Sequence, residues 1–218
     1  MRVALVTGAT RGIGAAIAKR LRECGCVVHG WGSEVDVTHR EQIDAALAKI
    51  GPIDILINNA GIFGPVGSAL TYDRSDWDRV LAVNLTGILN VSQAVIPGMV
   101  ERGYGRVVNL SSVVAKDSNP RCPAYTVSKA GIVALTRVMG LELAKSGVTV
   151  NCVMPAAVNT DLFKNVPQSQ VQAMLDKCPL GRFVTVEEVA NLVCWLASEE
   201  ASATVGAAFD VAGGRCQF

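Results

Sequence analysis

Apolar runs of strand length recur along this chain at residues 3–7, 26–29, 53–58, 106–111, 148–153 and 207–211, and stretches with helical periodicity fill the gaps between them. A crossover between parallel strands needs about a dozen residues, which is room for a helix. The alternation therefore predicts repeated βαβ units, and with them a doubly wound α/β fold whose parallel sheet is covered by helices on both faces. One interval breaks the rhythm. The second run ends near Trp31, and Asp36-Val37-Thr38 with a helix over 39–50 follows almost at once. The crossover after strand two is shortened, and any third strand at 33–35 is a stub.

The remaining constraints are those of size and charge. At 218 residues, half of them hydrophobic, the chain predicts one domain spanning 1–218 with a sizeable core. Twenty basic and nineteen acidic side chains leave a net charge of +1, which gives no nucleic-acid footprint and no membrane-attracting face. A small-molecule partner is expected. The sequence enters a strand at its start without a signal-peptide pattern, and no uninterrupted apolar run spans a bilayer, so a cytoplasmic location is expected. Seven cysteines lie scattered, not at zinc-ligand spacing, and Cys24-Gly25-Cys26 has no second cluster to complete a site. Reduced thiols and no metal follow. Two long helices are expected over 75–101 and 122–146, their wide apolar faces serving the sheet, a subunit contact, or both.

Gly8, Gly12 and Gly14 follow the first strand and open a helix in Thr7-Gly8-Ala9-Thr10-Arg11-Gly12-Ile13-Gly14. Glycines there permit a tight turn and close backbone approach to a pyrophosphate at the positive end of the helix. Many strand-to-helix turns carry glycine for backbone reasons alone. Tyr125 and Lys129 stand four residues apart, on one helix face. A phenol titrates near pH ~10 and is a poor base at neutrality, and a fixed cation nearby favours phenolate. Ser112 ends the strand over 106–111, on the edge of the sheet where ligands bind in such folds.

Taken together and in order, these motifs resemble the short-chain dehydrogenase/reductase family, with the pattern closest to 3-oxoacyl-(acyl-carrier-protein) reductase-like members. The resemblance runs from Val3 to Gly213-Gly214. It implies a Rossmann-type fold and an NAD(P)(H)-dependent oxidoreductase interconverting carbonyl and secondary alcohol. Ser112 would bind the substrate oxygen, Tyr125 transfer the proton, Lys129 bind the nicotinamide ribose and lower the phenol's pKa, and Asn84 hold a proton-relay water. The cofactor would be contacted by Gly8, Thr10, Arg11, Gly12, Ile13 and Gly14, by Asp36 and Val37 at adenine, by Asn58, Ala60 and Gly61 of Asn58-Asn59-Ala60-Gly61, by Tyr125 and Lys129, and by Pro155, Val158 and Thr160. Gly181-Arg182-Phe183 and a helix over 186–197 resemble the carrier-protein ketoreductase branch, which implies a homotetramer (or homodimer) and a lid over 161–177.

Departures from the family pattern bear on specificity. An acidic side chain at the end of strand two binds both ribose hydroxyls of NAD and repels the phosphate of NADP. Gly32 aligns there, and Arg11 can meet a 2'-phosphate, which favours NADP(H); Glu34, two residues on, keeps NAD(H) open. Ala156 and Ala212 replace the usual glycine and the usual acidic or amide residue. A 3-oxoacyl-type ketoreductase is expected, with an alcohol, sugar or diol dehydrogenase as the alternative. From a different class, an idle dinucleotide sensor or scaffold is disfavoured by the presence of Ser112, Tyr125 and Lys129.

Overall fold

A computed structural model describes residues 1–158 and 168–215. Six parallel strands form one sheet: β1 (Val3–Thr7), β2 (Val27–Trp31), β3 (Ile55–Asn58), β4 (Gly105–Leu110), β5 (Val148–Pro155) and β6 (Ala208–Val211). Their order is β2-β1-β3-β4-β5-β6. The helices are α1 (Gly12–Glu23), α2 (Arg40–Leu47), α3 (Arg74–Leu81), α4 (Gly87–Glu101), α5 (Val114–Asp117), α6 (Pro123–Leu143), α7 (Gln168–Leu175) and α8 (Val186–Leu196). This is the Rossmann-type doubly wound architecture that the alternation predicts.

Strand periodicity sorts side chains to two cores. Ala4 and Val6 of β1 point to one face with Ile57, Val108 and Val153, under Ile17 and Leu21 of α1 and Val189 and Val193 of α8. Leu5 points to the other with Leu56, Val107 and Val150, under Val91, Val95 and Met99 of α4. Both faces are thus sealed, which is why the central strands read as continuous apolar runs rather than alternating ones.

The segment after β2 contains turns and no strand, so the 33–35 stub does not form, and α2 starts directly at Arg40. β2 is consequently the edge of the sheet. Since β2 lies on one side of β1 and β3 on the other, the chain order reverses at β1. Crevices at such a reversal, outside the carboxyl ends of the strands, are where open α/β sheets bind ligands.

The long helix expected over 75–101 is one rod with a fault in it. Ala82–Thr86 forms a π-helical turn between α3 and α4, a local widening that often marks functional sites. The rod Arg74–Glu101 is long and apolar enough to cross a membrane. Its polar interruptions include fully buried Asn84 and Ser92, and its apolar face covers the sheet. It is a core helix of this fold.

Candidate active site

The glycine turn leaves β1 at Thr7 and enters α1 at Gly12. Gly8 and Gly12 have φ of +65° and +55°, in the left-handed region that glycine tolerates. A Cβ on Gly14 would collide with the Gly8 carbonyl, so this position requires glycine for close packing of turn against helix. Asn59 braces the turn: its Nδ2 donates to the carbonyls of Thr7 and Gly8, each at 3.0 Å. Thr7 Oγ1 in return accepts from the amides of Asn59 and Ala60, each at 3.0 Å. Thr7 and Asn59 thereby lock the ends of β1 and β3 together.

No side chain caps the start of α1, and its first turn holds no acidic residue. Its unpaired amides and the positive end of the helix dipole suit a pyrophosphate. Thr10 and Arg11 are exposed beside it. Across the crevice, a Cβ on Gly61 would come within 3.2 Å of Asn84 Oδ1 and 3.8 Å of Lys129 Nζ. Bare backbone at Gly61 keeps the approach to Lys129 narrow but open. An uncapped helix end at one side and a cation behind a side-chain-free wall at the other fit a dinucleotide.

The serine, tyrosine and lysine converge at the carboxyl end of β4. Ser111 Oγ donates to the Lys129 carbonyl at 2.7 Å, and Lys129 Nζ donates to the Leu110 carbonyl at 2.8 Å. These two bonds stitch α6 onto the strand and fix Lys129 along its whole length. One turn earlier on α6, the Tyr125 ring lies 5.5 Å from Lys129 Nζ. Ser112 hydrogen-bonds the Tyr125 hydroxyl. Phe63, itself exposed, packs on the Tyr125 ring with centroids 4.7 Å apart.

Burial dominates the electrostatics here. It pushes the Tyr125 phenol above its ordinary value, and the Ser112 hydrogen bond only partly offsets this. It also pulls Lys129 down to about 8. The sequence reading has Lys129 lowering the phenol's pKa; in the structure the ammonium is spent on the Leu110 carbonyl, and desolvation of the phenol prevails. The Tyr125 phenol is therefore protonated at neutral pH.

Asn84 sits in the π-helical turn, fully buried. Its Oδ1 accepts from the Ile62 amide at 2.8 Å, and its Nδ2 donates to the Ile62 carbonyl at 2.8 Å and to Ser128 Oγ at 3.0 Å. Both amide hydrogens are spent within the protein, so its side chain shapes the wall that carries Ile62 and Gly61. Asn58 is turned into the sheet, donating to Ser92 Oγ at 3.2 Å and Asn109 Oδ1 at 2.9 Å. Only its backbone borders the crevice. Asp36 accepts from the amide and hydroxyl of Thr38 at 2.9 and 2.8 Å, forming the turn into α2, while the Val37 side chain is buried beneath Gly87. Pro155 ends β5 and its carbonyl accepts from Val113 N at 3.0 Å; Val158 is buried and bridges to Val184. Thr160 lies outside the described residues, as does the 161–167 part of the lid expected over 161–177.

Thr7, Asn59, Ser111, Ser128 and Phe63 were not evident as site residues from sequence. Ser111, Asn59 and Ser128 lie inside the recognised motifs, but their partners come from other elements. Phe63 carries no sequence signal.

A family model described as "Enoyl-(Acyl carrier protein) reductase" matches residues 28–215. The chain is 40% identical over 239 residues to the 2-dehydro-3-deoxy-L-rhamnonate dehydrogenase (NAD(+)) of Sphingomonas sp. (strain SKA58), covering 100% of this chain and 96% of that protein. It is 38% identical to the 3-oxoacyl-(acyl-carrier-protein) reductase of Vibrio cholerae, with 98% and 96% covered. The crystal structure of an actinorhodin polyketide ketoreductase variant with NADPH superposes with a TM-score of 0.91 at 33% identity, over 100% of this chain and 98% of that one.

Proposed function

Because the chain belongs to the short-chain dehydrogenase/reductase family, and so is an NAD(P)(H)-dependent oxidoreductase acting on C=O and CH–OH groups, we propose that Ser112, Tyr125 and Lys129 carry its proton chemistry. The observation that supports this most strongly is the pair of bonds by which Ser111 Oγ and Lys129 Nζ join α6 to the end of β4, next to Ser112 in the chain and one helical turn from Tyr125. The residues that would hold the dinucleotide are Gly8, Thr10, Arg11, Gly12, Ile13 and Gly14 at the phosphates and ribose, the backbones of Asp36, Val37, Asn58, Ala60 and Gly61, then Tyr125 and Lys129, and Pro155, Val158 and Thr160 at the far end. When bound, the nicotinamide supplies hydride to a carbonyl carbon or takes it from an alcohol carbon.

Ser112 and Tyr125 hold the substrate oxygen by two hydrogen bonds and so orient the carbonyl. As negative charge develops on that oxygen, Tyr125 gives up its hydroxyl proton to it. Lys129, its ammonium 5.5 Å from the Tyr125 ring, stabilises the phenolate left behind. Asn84 positions Gly61 and Ile62 by its paired bonds. In the alcohol-oxidising direction Tyr125 must first lose its proton, which the burial of the ring opposes.

A pH profile checks this division of labour. Lys129 titrates at about 8 in the free protein. For carbonyl reduction, kcat/KM is expected to be level from mildly acidic to neutral pH and to fall above about 8, as the ammonium deprotonates and no longer steadies the phenolate. A profile that rises through pH 8 in the reductive direction would contradict the role given to Lys129.

For the substrate we propose a 3-oxoacyl-type ketone, in keeping with the carrier-protein reductase likeness. The 40% identity to a sugar-acid dehydrogenase supports a second reading, oxidation of a polyhydroxylated acid. Steady-state rates with an acetoacetyl thioester and with an aldonate series discriminate the two. The reading includes assembly into a homotetramer, in which the exposed Val127, Val138 and Leu141 of α6 would be covered.

A further inference from the structure

Cys24-Gly25-Cys26 has no second cysteine cluster near it in the sequence, but the fold supplies a partner. A Schellman turn closes α1: Gly25, at φ +83°, donates its amide to the Arg22 carbonyl at 2.9 Å, and the Cys26 amide donates to the Leu21 carbonyl at 3.0 Å. Cys24 is thereby fixed as the cap of the helix, at the end remote from the glycine turn. α8 packs along α1, and the two run the same way because each returns from one strand of a parallel sheet to the start of another. A groove between them is lined by Ala16, Arg20 and Glu23 on one side and Glu187, Ala190 and Asn191 on the other, and Arg20 Nε donates across it to Asn191 Oδ1 at 3.1 Å. About one turn beyond that bond stand Cys24 on one helix and Cys194 on the other. Their side chains are in hydrogen-bonding contact. Cys26 and Cys194 both pack on the core cluster beneath these helices, while Cys24 is exposed. Three thiols from two distant parts of the chain thus meet at one rim, with one of them open to solvent.

We propose that Cys24 and Cys194 form a thiol–disulfide exchange site, at which a low-molecular-weight disulfide oxidises the pair and bolts α1 to α8. The Cys24 sulfur, as thiolate, attacks one sulfur of the incoming disulfide. That S–S bond breaks, one thiol leaves, and the other half stays on Cys24 as a mixed disulfide. The Cys194 thiol then gives its proton to solvent and its sulfur attacks the Cys24 sulfur, displacing the second thiol. Two protein thiols are oxidised and one disulfide is reduced to two thiols, so no other electron acceptor is needed. The roles follow from position. Cys24 is the thiol that a solute reaches. Burial, and then the neighbouring Cys24, push the Cys194 thiol up to about 12, which keeps it protonated and inert toward solutes. Its step is intramolecular, and contact with the Cys24 side chain offsets its small thiolate fraction. The same contact selects Cys194 rather than Cys26 as the second thiol.

Incubation of the full chain with oxidised glutathione at mildly alkaline pH, followed by intact-mass measurement and peptide mapping without reductant, tests this on the wild type, Cys24→Ser, Cys26→Ser and Cys194→Ser. The wild type and Cys26→Ser are expected to lose two hydrogens, to retain no glutathione at Cys24, and to yield the Cys24 and Cys194 peptides joined. Cys194→Ser should stop at the mixed disulfide on Cys24, and Cys24→Ser should show neither the adduct nor the link. Because the bond closes a long loop in the unfolded chain, the linked protein should melt about 5 °C or more higher, and return to its former midpoint on reduction. A stable glutathione adduct on wild-type Cys24, a bond between Cys24 and Cys26, or thiols at Cys24 and Cys194 left unmodified each overturns the inference. So does a linked protein that melts lower than the reduced one, since the two sulfurs would then not be placed for the bond.

Discussion

Tyr125→Phe is expected to reduce turnover by about 10²–10⁴-fold, the usual contribution of a positioned proton donor, while dinucleotide binding is retained. The substitution removes one oxygen and keeps the ring that packs on Phe63. It leaves the bonds of Ser111 and Lys129 between α6 and β4 untouched, since neither involves the phenol. Stability should therefore change little, and the loss should appear in kcat rather than in nucleotide affinity. Single-turnover nicotinamide absorbance beside a fluorescence titration of the same variant separates the two. Near-normal turnover would assign the proton to another group.

The second large effect concerns stability and runs against intuition. Removing the charge at Lys129 should make the free protein more stable. A lysine whose pKa falls from 10.5 to about 8 on folding costs about 3 kcal/mol at neutral pH, because the folded state must hold a desolvated ammonium. Lys129→Met keeps the volume of the stem and forgoes the bond to the Leu110 carbonyl, worth about 1 kcal/mol. A net gain of about 1–3 kcal/mol is expected at pH 7 by denaturant unfolding, together with loss of activity. The pH dependence fixes the cause. Between about 8 and 10.5 the unfolded lysine is protonated and the folded one is not, so wild-type stability rises with pH in that window and the advantage of the variant shrinks. An advantage of Lys129→Met that stays constant with pH, or a loss of stability at pH 7, would show that burial of the charge is not what strains the site.

The parts of this molecule that were legible in the sequence are those whose cause is local. The order of apolar runs gave the parallel α/β sheet, since each strand must be sealed on both faces. Gly8 and Gly12 were legible because a positive φ selects glycine, and Tyr125 with Lys129 because a helix aligns residues four apart. What escaped depends on pairings distant in the chain. Asn59 braces the glycine turn only because β1 and β3 lie side by side, 51 to 52 positions apart in sequence. The Lys129 ammonium faces the Leu110 carbonyl because α6 packs on the end of β4, and the resulting burial reverses the expected direction of the phenol's shift. The π-helical turn at Asn84 has no signature in its residues. Glu34 stands two residues past Gly32 in the sequence, and only the turn that replaces a crossover helix brings its carboxylate back onto the Gly32 amide.

The central claim is that a nicotinamide-dependent exchange between carbonyl and alcohol takes place at Ser112, Tyr125 and Lys129. Nicotinamide absorbance followed with wild-type protein, both dinucleotides and a set of 3-oxoacyl thioesters, ketones, secondary alcohols and sugar acids tests it most directly. The account predicts turnover of at least one carbonyl–alcohol pair, abolished in Tyr125→Phe. Tight dinucleotide binding with no turnover of any member of the set would contradict it and leave a sensor or scaffold in its place.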